Sequence, residues 1–295
     1  MTLTTPPALG LAFVPTLPPE RLHSLATATE AADLDELWVW EDCFKESAVA
    51  SAAAALAWTS TLRVGIGLMP TPLRNVALSA MELATIERMF PGRLITGVGH
   101  GVQDWMAQVG ARVDSPMTLL REYATALRRL LAGDQVSVDG RYVHLDGVAL
   151  DWPPAAPPPL MLGGGGPKSL SLAAELGDGN LLTCALTDDE VRAAYEIVAA
   201  TRGAGHPLVV TQIVATGPGA QGRIDAEVPR WGKPAGVGIG TAGDAETIAA
   251  AVLRLHGLGA TTVVFQPTED EPDLEGLLAF IGQEVKPQVA RNWER

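Results

Sequence analysis

Short, continuously apolar runs alternate with longer amphipathic segments along most of the chain, and this alternation constrains the fold more than any other feature. The apolar runs predict eight strands, at 9–14, 36–41, 62–69, 93–98, 160–163, 180–184, 208–214 and 261–266. Strands without polar alternation are typical of parallel sheets covered on both faces. The amphipathic segments predict intervening helices, among them 20–32, 75–90, 116–132, 188–202 and 272–282.

Repeated strand–helix units form either a closed (β/α)8 barrel or an open doubly wound sheet. Eight strands in a chain of 295 residues favour the barrel. We therefore predict an α/β TIM barrel in a single domain over residues 1–295. Two segments exceed the bare repeat. An insertion at about 102–159, between the fourth and fifth strands, is expected to pack on or beside the barrel mouth, and it contains a hairpin signal with Asp139-Gly140 as a two-residue turn. A long Gly- and Pro-rich loop is expected at 215–243, after the seventh strand.

Composition excludes several classes of protein. The chain has 34 acidic and 21 basic side chains and a formal net charge of −13, which is unsuited to nucleic acid or to an anionic membrane surface. Two distant cysteines, Cys43 and Cys184, cannot form a disulfide scaffold. The sequence shows neither a signal peptide nor an apolar run of membrane-spanning length. We expect a soluble cytoplasmic protein.

The glycine run Gly163 to Gly166, followed by Pro167-Lys168-Ser169, is the clearest chemical signal. Glycines let backbone N–H groups approach a ligand, and the helix that Pro167 begins would present free N–H groups and a positive dipole end to a phosphate. A flexible strand-to-helix turn is the alternative interpretation.

Two other strand ends carry candidate residues. Gly97, Gly99 and Gly101 alternate, so one strand face could admit a flat ring, or it could equally allow close packing of another element. Glu41 and Asp42 follow the second strand and His100 follows the fourth, where they could serve acid–base chemistry or simply be solvated. These three side chains are too few for a predicted metal site.

At this point the residues resemble a known family, the luciferase-like flavin monooxygenase superfamily, and especially its deazaflavin branch, which uses coenzyme F-420. The likeness covers the chain from about residue 8 to 285. It rests on ELWVWEDCF (36–44), RVGIGLMPTPLRN (63–75) with ELATIERMFPGRLITGVGHG (82–101), REYATALRRLLAGDQVSVDGRYV (121–143), PPLMLGGGGPKSLSLAAELGDGNL (158–181) and, more weakly, GIGTAGDAETIAAAVLRLHGLGATTVVFQP (238–267).

The resemblance implies a barrel with the flavin or deazaflavin ring at its mouth. A family Asp-His pair near the ring aligns with Asp42 and Cys43, so the histidine is missing, and a family Glu aligns with Val102. His100 lies two residues before Val102 and could supply the missing imidazole. By this resemblance, Asp42 and His100 are the predicted catalytic residues.

The resemblance also implies the cofactor-binding residues. The glycine loop 163–166 matches the family's phosphate-binding turn, and a family non-prolyl cis peptide behind the ring aligns with Gly67–Leu68. The predicted cofactor-binding residues are Gly67, Leu68, Gly99, His100, Gly163, Gly164, Gly165 and Gly166. Relatives also pair through the helices after the second and third strands, which predicts a homodimer with the Ala-rich segment 48–57 at its interface.

Three functions are compatible with these residues. The first is coenzyme F-420-dependent hydride transfer to or from a small organic substrate, in which the cofactor carries the chemistry and the protein orients it. The second is an FMN-dependent luciferase-like monooxygenase. The third is a deazaflavin-binding barrel without catalysis, which the missing histidine and glutamate would allow.

Overall fold

The computed structural model describes residues 5–293, which alternate between strands and helices. The strands are β1 (Ala8–Ala12), β2 (Glu36–Val39), β3 (Arg63–Ile66), β4 (Met69–Pro70), β5 (Leu94–Gly99), β6 (Val136–Asp139), β7 (His144–Val148), β8 (Leu160–Gly163), β9 (Gly179–Leu181), β10 (Leu208–Ala215), β11 (Gly240–Ala242) and β12 (Thr262–Pro267). The helices are α1 (Leu22–Ala31), α2 (Ala48–Trp58), α3 (Val76–Met89), α4 (Gln103–Gln108), α5 (Pro116–Leu131), α6 (Pro167–Leu176), α7 (Asp188–Arg202), α8 (Ala220–Arg230), α9 (Ala245–Gly257), α10 (Leu274–Phe280) and α11 (Lys286–Trp293).

The fold is the closed (β/α)8 barrel that the sequence predicts. Its eight parallel strands follow the order β1-β2-β3-β5-β8-β9-β10-β12. Each strand coincides within a few residues with one of the eight apolar runs, because strands buried on both faces are apolar throughout. The third predicted strand, 62–69, is interrupted: β3 ends at Ile66 and β4 begins at Met69.

The residues of the chain group into two compact units, each defined by contacts among its own residues. One unit contains the residues up to Trp38 and those from Leu182 onward, and its strands run in the order β11-β10-β12-β1-β2. The other unit, Val39–Leu181, contains β3, β5, β8 and β9 side by side, with β4 paired to β5. Every candidate residue named from the sequence lies in the second unit.

The predicted insertion at 102–159 is only partly additional to the barrel. Helix α5 packs against α3 and α6, so it belongs to the ring of helices rather than to the barrel mouth. Its buried residues recur at helical spacing, as in Leu120, Tyr123, Leu127 and Leu130. The elements that exceed the repeat are α4 and the antiparallel β6–β7 hairpin.

The hairpin turn is longer than predicted. Asp139 still belongs to β6, where it pairs with His144, so the connection spans residues 140–143 rather than two residues. The Glu122 carboxylate of α5 accepts the backbone N–H groups of Arg141, Tyr142 and Val143 at 2.8–3.0 Å. These bonds lower the pKa of Glu122 despite partial burial, which opposes its ionisation. A tertiary carboxylate therefore replaces the short turn that local sequence indicates.

The prediction of a long loop at 215–243 is wrong in its middle, where α8 forms. Ala220, Ile224 and Val228 recur every four residues and pack with Ile213 and Ala215 of β10 in one apolar cluster. Gly222 and Pro229 concealed this period, because both residues disfavour helix. Pro229 lies in the last turn of α8, so the backbone hydrogen bond that it cannot donate is lost only near the helix end.

Candidate functional site

Four neighbouring strand ends of the second unit carry the predicted site residues. Asp42 follows β2, Gly67 and Leu68 lie between β3 and β4, Gly99 and His100 end β5, and Gly163–Gly166 follow from β8. The backbone ties the first two ends together: the Gly67 N–H donates to the Val39 carbonyl at 2.8 Å, and the Glu41 N–H donates to the Leu68 carbonyl at 3.2 Å. The site is thus assembled at the carboxyl edge of the strands, where such barrels place their ligands.

The Leu68 side chain lies over two glycines. A Cβ added at Gly99 would come 2.6 Å from Leu68 Cδ2, and one added at Gly163 would overlap the same atom. Both glycines are buried while Leu68 is half-buried, so Leu68 forms a wall that rests on bare backbone and keeps one side exposed. The Gly67–Leu68 peptide bond is cis, as the family resemblance predicts, and so is Cys43–Phe44.

The alternating glycines of β5 serve close packing. A Cβ at Gly97 would overlap the Ile66 carbonyl oxygen, which belongs to the neighbouring strand backbone. Gly101 has a positive φ of 68°, a left-handed conformation that favours glycine. Of the two alternatives for this face, packing accounts for Gly97, and at Gly99 the space is filled by Leu68.

The glycine turn after β8 opens onto α6. A side chain at Gly164 would come 2.5 Å from Ser169 Cβ, whereas one at Gly166 would meet only the Ser169 Oγ, at 3.8 Å. The Ser169 hydroxyl accepts the Gly166 N–H at 3.1 Å and donates to the Gly166 carbonyl at 2.9 Å. Gly165, Gly166 and Lys168 are exposed. In the first turn of α6 the Lys168 and Ser169 N–H groups have no intrahelical acceptor, which is the arrangement that binds anions.

Asp42 is half-buried beyond the end of β2. Burial raises the pKa of its carboxyl, and this outweighs the hydrogen bond from Trp40 and the charge of Lys45, which lower it. The neighbouring Cys43 thiol also has a raised pKa, first through burial and then through the negative charges of Glu41 and Asp42. A partly desolvated carboxyl beside a neutral thiol can hold a proton that an ordinary surface aspartate would release.

Both carboxylate oxygens of Glu41, by contrast, have partners. Its Oε2 pairs with Arg74 Nη1 at 2.6 Å, and its Oε1 accepts the Ala48 N–H at the start of α2 at 3.2 Å. Glu41 therefore supports the structure around the site, and of the two adjacent carboxylates only Asp42 is available for chemistry.

His100 is half-buried after β5, and its Nδ1 lies 2.8 Å from the Gly101 carbonyl oxygen. Because a carbonyl only accepts hydrogen bonds, Nδ1 carries the hydrogen. Nε2 is then the nitrogen that can exchange a proton with a ligand.

Sequence reasoning missed Trp40 and Arg74, which contact Asp42 and Glu41 respectively. Trp40 lies two residues before Asp42, a spacing that could have indicated a shared strand face. Arg74 is 33 residues from Glu41 and reaches it only through the fold, so no local pattern marks it.

A surface cavity of about 590 Å³ lies between α5 and α6 beside the glycine turn. Its lining includes the cations Arg121 and Lys168 and the carboxylates Glu122 and Glu175. Arg121 forms a bidentate pair with Glu175 at 2.7 and 2.8 Å. The cavity wall is therefore close to charge-neutral.

Within residues 5–293, no group of three or more His, Cys, Asp or Glu side chains is placed to hold a metal ion. No helix among these residues is both long and apolar enough to cross a bilayer.

Fold and site together define a TIM barrel with a glycine turn at a helix N-terminus next to a strand-end wall. The luciferase-like monooxygenase family model matches residues 3–230, and the chain belongs to that family.

Individual proteins agree with this assignment. The chain is 30% identical over 197 residues to the 5,10-methylenetetrahydromethanopterin reductase of Methanolobus tindarius, which covers 66% of this chain and 60% of that protein. The structure resembles the coenzyme F-420-dependent tetrahydromethanopterin reductase of Methanopyrus kandleri, with a TM-score of 0.82, 19% identity and coverage of 97% and 100%. It also resembles the FMN complex of a Pseudomonas putida type II Baeyer–Villiger monooxygenase, with a TM-score of 0.77, 15% identity and coverage of 96% and 98%.

Substitution of Gly99 tests the Leu68 wall. We expect Gly99→Ala to destabilise the protein by about 1–2 kcal/mol, because the new methyl group displaces Leu68. Adding Leu68→Ala removes the clash, so the double variant should be less destabilised than the sum of the two single changes by at least about 0.5 kcal/mol. Urea unfolding of the four proteins measures this coupling. Gly97→Ala is the control: its clash is with backbone, so Leu68→Ala gives it no relief, and strict additivity at Gly99 would contradict the wall.

Asp42→Asn tests the burial of the carboxyl. A raised folded-state pKa means that the native protein keeps a proton which the unfolded chain releases, so wild-type stability falls as the pH rises above about 4. Asn keeps an acceptor for Trp40 and carries no charge. The variant should melt about 1–2 °C above wild type at pH 7, a small effect because solvent screens a half-buried group. The difference should vanish near pH 4. Asp151→Asn, at an exposed loop position, should show no such trend, and a variant less stable than wild type at pH 7 would contradict the prediction.

Proposed function

We propose that the protein is an oxidoreductase that binds coenzyme F-420 and transfers a hydride to or from a small organic substrate. The observation that carries this proposal is the position of Gly163, which seats the Leu68 wall and also begins the turn at the start of α6. The Leu68 wall, which would contact the cofactor ring, therefore adjoins the turn Gly163–Gly166, which would bind a phosphate. Family membership and an F-420-dependent neighbour of the same fold support the choice of cofactor.

The residues present fit such a cofactor. The exposed turn at Gly165–Gly166 and the first N–H groups of α6 can receive a phosphate, and the exposed side of Leu68 can contact a flat ring. Gly67 and His100 are further predicted ring contacts, whereas Gly99 is covered by Leu68 and would act by seating that side chain. The matched reductase shares the family, but the alignment spans only 60% of its length, so its substrate is not transferred to this chain.

Bound F-420 supplies the hydride chemistry, and the protein supplies position and proton handling. Leu68 limits how deeply the ring can enter, because its side chain already rests on Gly99 and Gly163. Asp42, with its raised pKa, can hold a proton at its carboxyl for delivery to a substrate atom. His100 offers Nε2 for the same purpose, since Nδ1 is held by the Gly101 carbonyl.

The second candidate is an FMN-dependent monooxygenase, and the FMN-bound neighbour of the same fold favours it. A terminal phosphate could occupy the same turn. The third, a deazaflavin-binding barrel without catalysis, is favoured by Cys43 and Val102, which replace the family's histidine and glutamate. Because cysteine and valine supply no proton near neutral pH here, this alternative and the first differ only in whether Asp42 and His100 suffice.

Cofactor titration separates these functions. Quenching of the tryptophans should show that F-420 binds more tightly than FMN. Gly166→Val, which has space for its Cβ but covers the turn, should weaken F-420 binding about 10–100-fold, because charge-assisted hydrogen bonds are lost. Gly222→Val, at an exposed glycine of α8, is the control. Tighter FMN binding would favour the monooxygenase, binding without turnover on a substrate panel would favour the non-catalytic barrel, and no binding of either cofactor would overturn all three.

We further propose that the protein is a homodimer and that α2 and α3 form its interface. Leu78, Met81 and Met89 are 47%, 58% and 54% exposed along one face of α3. On α2, Ala50 and Ala57 are exposed and would allow a close approach of another helix. Exposed apolar stripes of this kind mark protein–protein contacts. Both cysteines are free thiols, the usual state in a reducing compartment, which supports a cytoplasmic location.

A charge placed on this stripe tests the dimer. Met81→Asp should convert a dimer at micromolar concentration into a monomer, because burying an unpaired carboxylate costs several kcal/mol. Light scattering measures the mass. Val109→Asp, at an exposed apolar position outside α2 and α3, should leave the dimer intact. A wild-type mass of one chain would contradict the proposal.

A further inference from the structure

Hydrogen bonds to the Glu41 side chain join the two ends of the loop that carries Asp42. Glu41 Oε1 lies 3.2 Å from the Ala48 N–H and 3.4 Å from Ser47 Oγ, so the two ends of the segment 42–46 are tied together. Inside the segment, the Lys45 N–H donates to the Asp42 carbonyl at 2.8 Å. The position of Asp42 therefore depends on how firmly the two ends of this segment are held together.

Arg74 contacts both ends of this segment. Its Nη1 pairs with Glu41 Oε2 at 2.6 Å, and its Nη2 donates to Ser47 Oγ at 3.4 Å. Its Nε lies 3.3 Å from Glu82 Oε2 on α3, which fixes the guanidinium to a helix. The Arg74 and Glu41 side chains are only 17% and 7% exposed. Three contacts in different directions from one planar group suit arginine and cannot be reproduced by the single ammonium of lysine.

The same segment is tied to the Leu68 wall. The Glu41 N–H donates to the Leu68 carbonyl at 3.2 Å, so holding Glu41 fixes Leu68 as well as Asp42. Arg74 itself stands six residues after Leu68, at the end of the short 3-10 turn Thr71–Leu73. The Arg74 guanidinium is thus connected through Glu41 both to the Leu68 backbone and to the loop that carries Asp42.

We propose that Arg74 is a positioning residue that sets the placement of Asp42 relative to Leu68 by holding Glu41 and Ser47. It touches neither a substrate nor the proposed ring contacts, so it acts through these two residues. Its charge is balanced by Glu41 and Glu82, and its influence on Asp42 therefore comes from geometry rather than from its field. The catalytic consequence rests on the proposed function, whereas the geometric statement stands without it.

The groups around Asp42 provide a local reporter. Trp40 donates a hydrogen bond to the Asp42 carboxyl, Lys45 is the nearby cation, and Cys43 and Glu46 feel the charge of Asp42. The indole N–H of Trp40 gives its own resonance in a ¹H–¹⁵N spectrum. That resonance reports whether Asp42 remains in place, and it requires no cofactor.

The experiment compares Arg74→Lys and Glu41→Gln with wild type and with Arg129→Lys, the control. Arg129 also pairs with a carboxylate, Asp134 at 3.2 Å, but on an exposed part of the same unit. The Trp40 resonance, assigned through Trp40→Phe, should shift in the first two variants and stay in place in the control. Thermal melting confirms that each protein is folded.

In the cofactor-loaded enzyme, Arg74→Lys should lower kcat about tenfold or more, since small misplacements of a reacting group are costly, while the Kd for F-420 changes less than about threefold. An unshifted Trp40 resonance in folded Arg74→Lys overturns the positioning role, whatever the cofactor. Unchanged kcat with a shifted resonance overturns the catalytic consequence, because the placement of Asp42 by Arg74 would then not affect turnover. A wild-type protein that shows no F-420 turnover, together with a shifted resonance, overturns the proposed function and leaves the placement of Asp42 by Arg74 intact.

Discussion

The Leu68 side chain occupies space that exists only because Gly99 and Gly163 lack a Cβ. Three strand ends meet at this contact: the break between β3 and β4, the end of β5 and the end of β8. Any side chain on either glycine would push Leu68 outward, away from the backbone. The depth of the candidate cofactor site is thus set by apolar packing in the barrel itself, and the polar residues are arranged around that fixed wall.

Two adjacent carboxylates show how environment divides their roles. Glu41 has a guanidinium and a backbone N–H for its two oxygens, so it serves the structure. Asp42 is half-buried with an indole donor and a single nearby cation, and burial raises its pKa. A half-buried acid with a raised pKa is typical of sites that move protons.

The sequence predicts what depends on local pattern and fails where tertiary contacts decide. The eight barrel strands follow from continuous apolar runs, and α6 follows from Gly-Pro at its start. Helix α8 was missed because Gly222 and Pro229 concealed the four-residue period of Ile224 and Val228. The hairpin turn was misjudged because Glu122, some twenty residues away, supplies its acceptors. Arg74 was missed for the same reason, since its partner Glu41 lies in a distant segment.

Cys43 stands where the family resemblance predicts a histidine, and this narrows the chemistry that the proposed site can perform. Burial and the two preceding carboxylates raise the pKa of the thiol, so near neutral pH it is neither a base nor a nucleophile. A thiolate forming there would meet the negative charges of Glu41 and Asp42, which makes the position unsuited to a developing anion. On the proposed function, proton exchange would fall to the Asp42 carboxyl or to Nε2 of His100, on two strand ends that border the same Leu68 wall. Hydride transfer tolerates the loss of a proton-exchanging side chain, because the cofactor carries the reacting bond. Oxygen activation followed by proton-dependent steps places greater demands on the protein. On the proposed function, this asymmetry is the physical reason to favour the deazaflavin reaction over the flavin one.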